Sequence, residues 1–240
     1  MCRRGFFVAV GKPVKIIITN DDGHDEPGLA ALYQAVRPLG DVMIVAPERP
    51  QSGVGHTITL KDGVFARKID GFKYVVQGSP ADCTRLALKV FAPAAEWLIS
   101  GINPGANLGT DVYPSGTVAA AREAAILGKK AIAVSQYIAD GHTIDWTVTA
   151  HHVARILPVI MEKSLSGGQY WNINLPHPLD INSHPKYRIC GLEKNPHDYV
   201  FMGESDCYFY DGDIHNRPRS PGTDVDVCYS GQIAVTLLQA

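Results

Sequence analysis

The chain predicts an α/β fold built on a doubly wound, mainly parallel, Rossmann-like sheet, with an antiparallel hairpin and tail at its C-terminal end. Three observations carry this expectation. Ile16, Ile17 and Ile18 form an unbroken β-branched run, the pattern of a parallel strand covered on both faces. Apolar runs of strand length then alternate with stretches of helical spacing through the first two thirds of the chain. Beyond Pro176 that alternation gives way to polar segments containing Pro and Gly around short strand candidates.

The elements follow in order. After the first strand, residues 28–37 place Leu29, Leu32, Tyr33 and Val36 at helical spacing, and Pro38 and Gly40 close the helix. Residues 41–46 read as a second buried strand ended by Pro47, followed by a polar, Gly-containing loop over 48–56. Residues 57–60 and 71–76 read as less buried strands. Ser79, Pro80 and Asp82 mark a helix start, with a capping hydroxyl, proline at the first position and an acid in the first turn. That helix is expected to run to about Val90. Further strands are expected at 96–100, 130–135 and 170–175, and helices at 115–127, stopped by Gly128, and at 146–161. Short strands are expected at 187–190, 208–210 and 232–238. Residues 1–12 read as a loose N-terminal extension, 13–176 as the α/β core, and 177–240 as a hairpin and tail of the same domain.

The bulk composition narrows the function. The 240 residues are 45% hydrophobic and 19% charged, ordinary for one globular domain. A net charge of −2 gives no global attraction to duplex nucleic acid or an anionic membrane, so any anion affinity must be local. Five cysteines (Cys2, Cys83, Cys190, Cys207 and Cys228) form no CxxC pair, which argues against a disulfide framework or a zinc site. Their pattern suits a reducing compartment, and the expected location is cytoplasmic. No apolar run approaches the ~20 residues of a membrane-spanning helix.

Chemistry collects where strands end, the edge at which open α/β sheets bind ligands. The first strand runs into Asn20-Asp21-Asp22-Gly23. Two adjacent carboxylates repel each other unless a cation lies between them or one is protonated, so a hard divalent cation is one reading. A solvated turn is the other, because all four residue types favour turns. Two more loops add oxygen donors, Gln51-Ser52-Gly53 and Ser100-Gly101-Ile102-Asn103, with Asn107 behind the latter. With no His or Cys cluster beside them, Asp21, Asp22, Ser52 and Asn103 suit magnesium, manganese or calcium better than zinc.

Pro114-Ser115-Gly116-Thr117 opens a helix whose free N–H groups suit an anion such as phosphate. Taken by itself, Ser115 or Thr117 caps that helix and does nothing more. Beside a metal loop the phosphate reading gains. The glycines at 101, 105 and 109 match no Walker or dinucleotide spacing. His56 follows the Ser52 loop within reach of the site but reads first as a surface residue, Glu123 reads as structural, and Arg85 as part of a solvated face. Of His151 and His152, at most one can face inward.

In order along the chain, these stretches closely resemble the stationary-phase survival protein family, SurE, of metal-dependent nucleoside monophosphate phosphatases. The matching pieces are Ile18 to Gly23 with Pro27-Gly28-Leu29, Ala46-Pro47 with Gln51-Ser52-Gly53, Gly78 to Cys83, Ser100 to Asn103 with Asn107 to Asp111, and Tyr113 to Val118. Asn172 to Pro176 and Pro221 to Asp224 extend the likeness toward the C-terminus. The resemblance implies one divalent ion per subunit, Mg²⁺ or Mn²⁺, held by Asp21, Asp22, Ser52 and Asn103, and a phosphate bordered by Asn107, Ser115, Gly116 and Thr117. It also implies a homodimer or homotetramer with a projecting hairpin and an exchanged C-terminal tail, and polyphosphate as a second substrate. The 1–12 extension and the charged His24-Asp25-Glu26 depart from the family pattern.

The expected activity is hydrolysis of nucleoside 5′- and 3′-monophosphates, with Asp21 and Asp22 at the catalytic centre and water attacking directly. The rival is a receiver-like signalling module, which also carries paired acids after its first strand. A receiver needs a phosphate-accepting Asp at a later strand end, where this chain has Ala46-Pro47 and Ser100 to Asn103.

Overall fold

The structure, a computed structural model, describes residues 14–196, 200–211 and 215–240. The extension expected over residues 1–12 lies outside the described residues. Nine strands form one sheet. In spatial order they are β3 (Phe65–Lys68), β4 (Lys73–Gln77), β2 (Gly40–Pro47), β1 (Val14–Thr19), β5 (Trp97–Pro104), β6 (Lys130–Gln136), β7 (Gln169–Leu175), β11 (Ile233–Gln239) and β8 (Tyr187–Ile189). The block from β4 through β7 is parallel, while β3 and β11 run antiparallel to their neighbours β4 and β7. β9 (Phe201–Glu204) and β10 (Cys207–Tyr210) form a separate hairpin.

Helices cover both faces, which explains the β-branched run of β1. Ile16 and Ile18 point into a core shared with Leu29, Leu32, Val153 and Leu157 from α1 (Pro27–Val36) and α4 (Trp146–Met161). Ile17 points the other way, toward Cys83, Ala120, Ala121 and Ala124 from α2 (Pro80–Leu86) and α3 (Gly116–Ile126). Period-two alternation with both sets apolar is the signature of a doubly covered strand. Within α4, His152 is the buried member of the histidine pair and bonds Asp180 O at 2.9 Å, while His151 is exposed.

The winding places the site. From β1 the chain moves one way, to β2 and then β4, before returning past β1 to β5 and on to β6 and β7. The crevice between β1 and β5 is therefore the point where winding reverses, the position at which doubly wound sheets take ligands. α1 lies hard against that crevice because residue 28 is glycine. A Cβ there would come within 2.1 Å of Ile102 O and 3.0 Å of the Trp146 ring.

Several expected elements shift. Residues 57–60 are not a strand; Thr59 instead donates its N–H and hydroxyl to Asp82, each at 2.9 Å, and the strand falls at β3. The helix expected to reach Val90 loosens after Leu86 into a π-helical turn, Ala87–Phe91. β5 runs on to Pro104, so Asn103 sits on the strand end. Elements that the sequence does not predict include β9, a 3₁₀ turn (Gly109–Val112) and a short helix, α5 (Asp224–Tyr229).

The segment after Pro176 is knitted into its own chain. β11 pairs with β7, and Asp224, fully buried at the start of α5, accepts from Gly109 N and Glu193 N, each at 2.7 Å. Burial pushes the Asp224 carboxyl up. Buried Glu193 accepts in turn from Lys194 N, Asn195 N and Ser220 N. Burial alone would raise its carboxyl, but the N–H groups of Asn195, Ser220 and Lys194 hold it down at about 2.

Two predictions follow from this packing. Gly28→Ala should destabilise the fold by about 2–3 kcal/mol, because backbone at Ile102 must move to admit the methyl. A urea unfolding midpoint unchanged from wild type would show that α1 does not press on β5. The Glu193 carboxyl lies below its unfolded value, so its contribution is present above about pH 4.5 and is lost as pH falls toward 2. Glu193→Gln should therefore cost about 2 kcal/mol at pH 7 and much less near pH 2.5. A stability gap between the two proteins that does not change with pH would contradict this.

Candidate functional site

Asn20 to Gly23 leave β1 in a tight turn in which fully buried Asn20 donates its amide to Gly23 O at 2.8 Å. The turn fixes Asp21 and Asp22 at the mouth of a cleft of about 780 Å³. Asp21, Asp22, Ser52, Asn103, Asn107 and Ser115 all line this cleft. Three separate loops thus converge on one strand-end crevice. Gly116 and Thr117 stand directly behind it.

Asp21 is the hub. Its backbone oxygen accepts from Gln51 N at 2.7 Å, which brings the Ser52 loop to the end of β1. Its Oδ1 accepts from the hydroxyl of fully buried Thr117. A Cβ at residue 116 would lie 2.8 Å from Asp21 Cβ, so only glycine lets the start of α3 come this close. The Asp21 carboxyl is pushed up by burial, against the lowering effect of the Thr117 hydroxyl and nearby backbone N–H groups.

Asp22 is the uncompensated member. Its Oδ2 is buried with no hydrogen-bond partner. Burial, then the charges of Asp21 and Glu26, push its carboxyl up to about 7. Asn103 commits its amide nitrogen to Gly105 O at 2.7 Å, which leaves its carbonyl oxygen as the atom it can offer a cation. Ser52 is exposed on its loop. An orphaned carboxylate oxygen beside a second carboxylate, an amide oxygen and a hydroxyl is a donor set for a hard cation with oxygen preference. No Lys, Arg or His is among the described residues lining the cleft.

The expected phosphate residues divide. Ser115 caps α3, its hydroxyl accepting from Val118 N at 3.1 Å, and it faces the cleft. Asn107 also lines the cleft, held by Ser135 Oγ on its amide and by Asn174 Oδ1 on its backbone N–H, each at 2.8 Å. Thr117 is turned inward to Asp21 and does not line the cleft, because the carboxylate takes its hydroxyl first.

Other supports escaped the reading of the residues. Buried Asn172 and Asn174 both donate to Asn107 O, at 2.9 and 3.0 Å. Two asparagines spaced by two within an apolar strand lie on one face, and that spacing was the available signal. His56, expected at the surface, Glu123, expected to be structural, and Arg85, expected on a solvated face, form one network. Glu123, 1% exposed, accepts from Arg85 Nε at 2.6 Å and meets His56 Nε2 at 2.8 Å. Burial works to raise the Glu123 carboxyl, but His56 and Arg85 together hold it low. This network, with Gly55 N to Pro114 O at 2.9 Å, fastens the Ser52 loop to α3. Asp111, at the cleft edge, is ion-paired with buried Arg217.

A second cleft of about 490 Å³ lies beside β4, lined by Glu48, Gln77, Ser79 and Asp82 among others. Its buried acid, Asp82, already accepts from Thr59 and Ser79, so no unmet charge marks it.

Comparison with known proteins places the chain in a family. Residues 16–198 match the family model described as "Survival protein SurE". A relative from Synechocystis sp., named "Putative 5′-nucleotidase alr3139", is 42% identical over 226 residues, covering 94% of this chain and all of the relative. "5′-nucleotidase SurE" from Paramagnetospirillum magneticum is 35% identical, over 96% of this chain and 92% of its own. The crystal structure of the SurE protein from Aquifex aeolicus superposes with a TM-score of 0.84 at 31% identity, covering 94% and 93% of the two chains. By fold and by sequence, the chain belongs to the SurE family.

Proposed function

We propose that this protein is a divalent-metal-dependent 5′-nucleotidase that releases phosphate from nucleoside monophosphates. One observation carries the metal dependence: the cleft presents two adjacent, largely buried carboxylates, and none of its described lining residues is basic. A phosphate dianion would be repelled from such a cleft unless a cation lay within it. Asp21, Asp22, Ser52 and Asn103 would hold that ion, which when bound would supply charge neutralisation, a grip on a phosphoryl oxygen and a more acidic water. The names carried by the relatives support the nucleotide substrate.

The chain's own residues then divide the work. Asp21, its Oδ1 fixed by Thr117, orients the attacking water. Ser115 and Asn107 face the phosphate oxygens from the opposite loops and stabilise their charge. Ser115 Oγ is engaged as a cap and Thr117 is buried, so neither hydroxyl serves as a covalent nucleophile, and water attacks directly in this proposal. Of the polar side chains lining the cleft, Asp111 and Tyr210 have no part in holding metal or phosphate, and Arg217 pairs with Asp111. On the family membership alone, 3′-monophosphates are included in this proposal as a second substrate. The receiver-like alternative finds no support, since β5 ends in Asn103-Pro104 with no aspartate and the family match is to SurE. Exposed Met202 and Phe209 on the hairpin support a homodimer or homotetramer. Among the described residues, no helix is long and apolar enough to cross a membrane.

Asp21→Asn should fold normally by circular dichroism yet lose about a hundredfold or more of Mn²⁺- or Mg²⁺-dependent phosphate release from adenosine 5′-monophosphate. Near-normal turnover in that variant would remove the basis for the assignment. Asp22→Asn should behave differently in stability. It removes a buried charge with an unpartnered oxygen, so the metal-free protein should gain about 1 kcal/mol while Mn²⁺ no longer raises its melting temperature. Mn²⁺ stabilisation equal to that of wild type would place the ion elsewhere.

A further inference from the structure

One wall of the cleft is unused by the chemistry above. Phe201 and Tyr210 line it from the β9–β10 hairpin, in the same cavity as Asp21 and Asp22. Both rings are largely exposed, at 58% and 48%, and neither belongs to a hydrophobic core cluster among the described residues. They are directly paired across the hairpin, so their side chains share a face, with ring centroids 5.8 Å apart and planes at 64°. Gly203 and Tyr208 continue that face. A Cβ at residue 203 would come within 3.0 Å of the Tyr208 ring, so the glycine leaves room for the ring to lie across the strand. Met202 and Phe209 occupy the opposite face by alternation. The base of the hairpin is closed by Asp211 N to Val200 O at 2.8 Å.

From this arrangement we infer that Phe201 and Tyr210 bind the nucleobase of the substrate by stacking, which makes them specificity-determining residues. The inference rests on the nucleotidase reading above. Exposed rings facing a polar, anionic cleft contribute nothing to the core, and a flat heteroaromatic ligand is what such rings accept best. The donor-rich wall suits the cation and phosphate, while the aromatic wall suits the other end of a nucleoside monophosphate. Stacking needs no hydrogen-bond partners on the base, and it tolerates every base because each has a π-face. The larger purine face gains more than a pyrimidine. The volume of about 780 Å³ is within the range for a ligand of this size.

The test compares kcat/KM of wild type, Phe201→Ala/Tyr210→Ala and Tyr210→Phe on three esters: adenosine 5′-monophosphate, cytidine 5′-monophosphate and ribose 5-phosphate, which lacks a base. The double variant should lose about tenfold more on the adenine nucleotide than on ribose 5-phosphate. Its preference for adenine over cytosine should fall toward one, and Tyr210→Phe should keep the wild-type preference. Equal loss on all three esters, or no loss on any, overturns base stacking. In both of those results, metal-dependent release from ribose 5-phosphate by wild type leaves the phosphatase reading standing. Failure of wild type to release phosphate from any of the three overturns that reading as well.

Discussion

The structure depends on one electrostatic constraint: two consecutive carboxylates are held largely out of water at the point where the sheet's winding reverses. Burial raises both acids, and Asp22 retains an oxygen that nothing in the chain satisfies. A fold tolerates such an arrangement when something outside the chain completes it. The cleft is consistent with completion by a cation, because its described lining residues offer neutral oxygens and no basic side chain. The same feature that costs stability is the one that would gather a metal and, through it, an anionic substrate.

What keeps those groups in place is a set of connections that reach far from the cleft. Asp21 alone touches three elements: β1 by its position, the Ser52 loop through Gln51 N, and α3 through Thr117 and the missing side chain of Gly116. The Ser52 loop is fastened a second time by the His56–Glu123–Arg85 network. On the other side, buried asparagines of β7 hold Asn107, and Asp224 from the C-terminal segment holds Gly109. Each support is a satisfied polar contact with at least one buried partner, the kind that locks geometry because breaking it strands that partner. Positions that must hold donor atoms to within fractions of an ångström are thereby built on strands and helix ends rather than on free loops.

Much of this was legible in the residues. Strongly periodic segments such as Trp146–Met161 and the β1 run fall where the pattern puts them, because burial on defined faces dictates both pattern and structure. The convergence of the loops bearing Asp21, Ser52 and Asn103 was legible as well, since a doubly wound order carries strand ends to one edge. Residues 57–60 misled because Thr-Ile-Thr-Leu has strand propensity, whereas the hydrogen bonds of Thr59 go to the Asp82 side chain. Thr117 was read as a phosphate ligand because position in a helix does not disclose a competing carboxylate from 96 residues earlier. The Glu123 network failed to show for the same reason. In the C-terminal region the strands at 187–190, 208–210 and 232–238 are legible, whereas β9, α5 and the pairing with β7 are not, because long-range contacts set them.

The most direct test is an anomalous difference map from a crystal of this protein grown with Mn²⁺. The account predicts a single manganese peak between the carboxylates of Asp21 and Asp22, within ligating distance of Ser52 Oγ and Asn103 Oδ1, and no such peak in Asp22→Asn. An empty cleft in a crystal whose protein shows Mn²⁺-dependent phosphate release, or a peak at other residues, would contradict it.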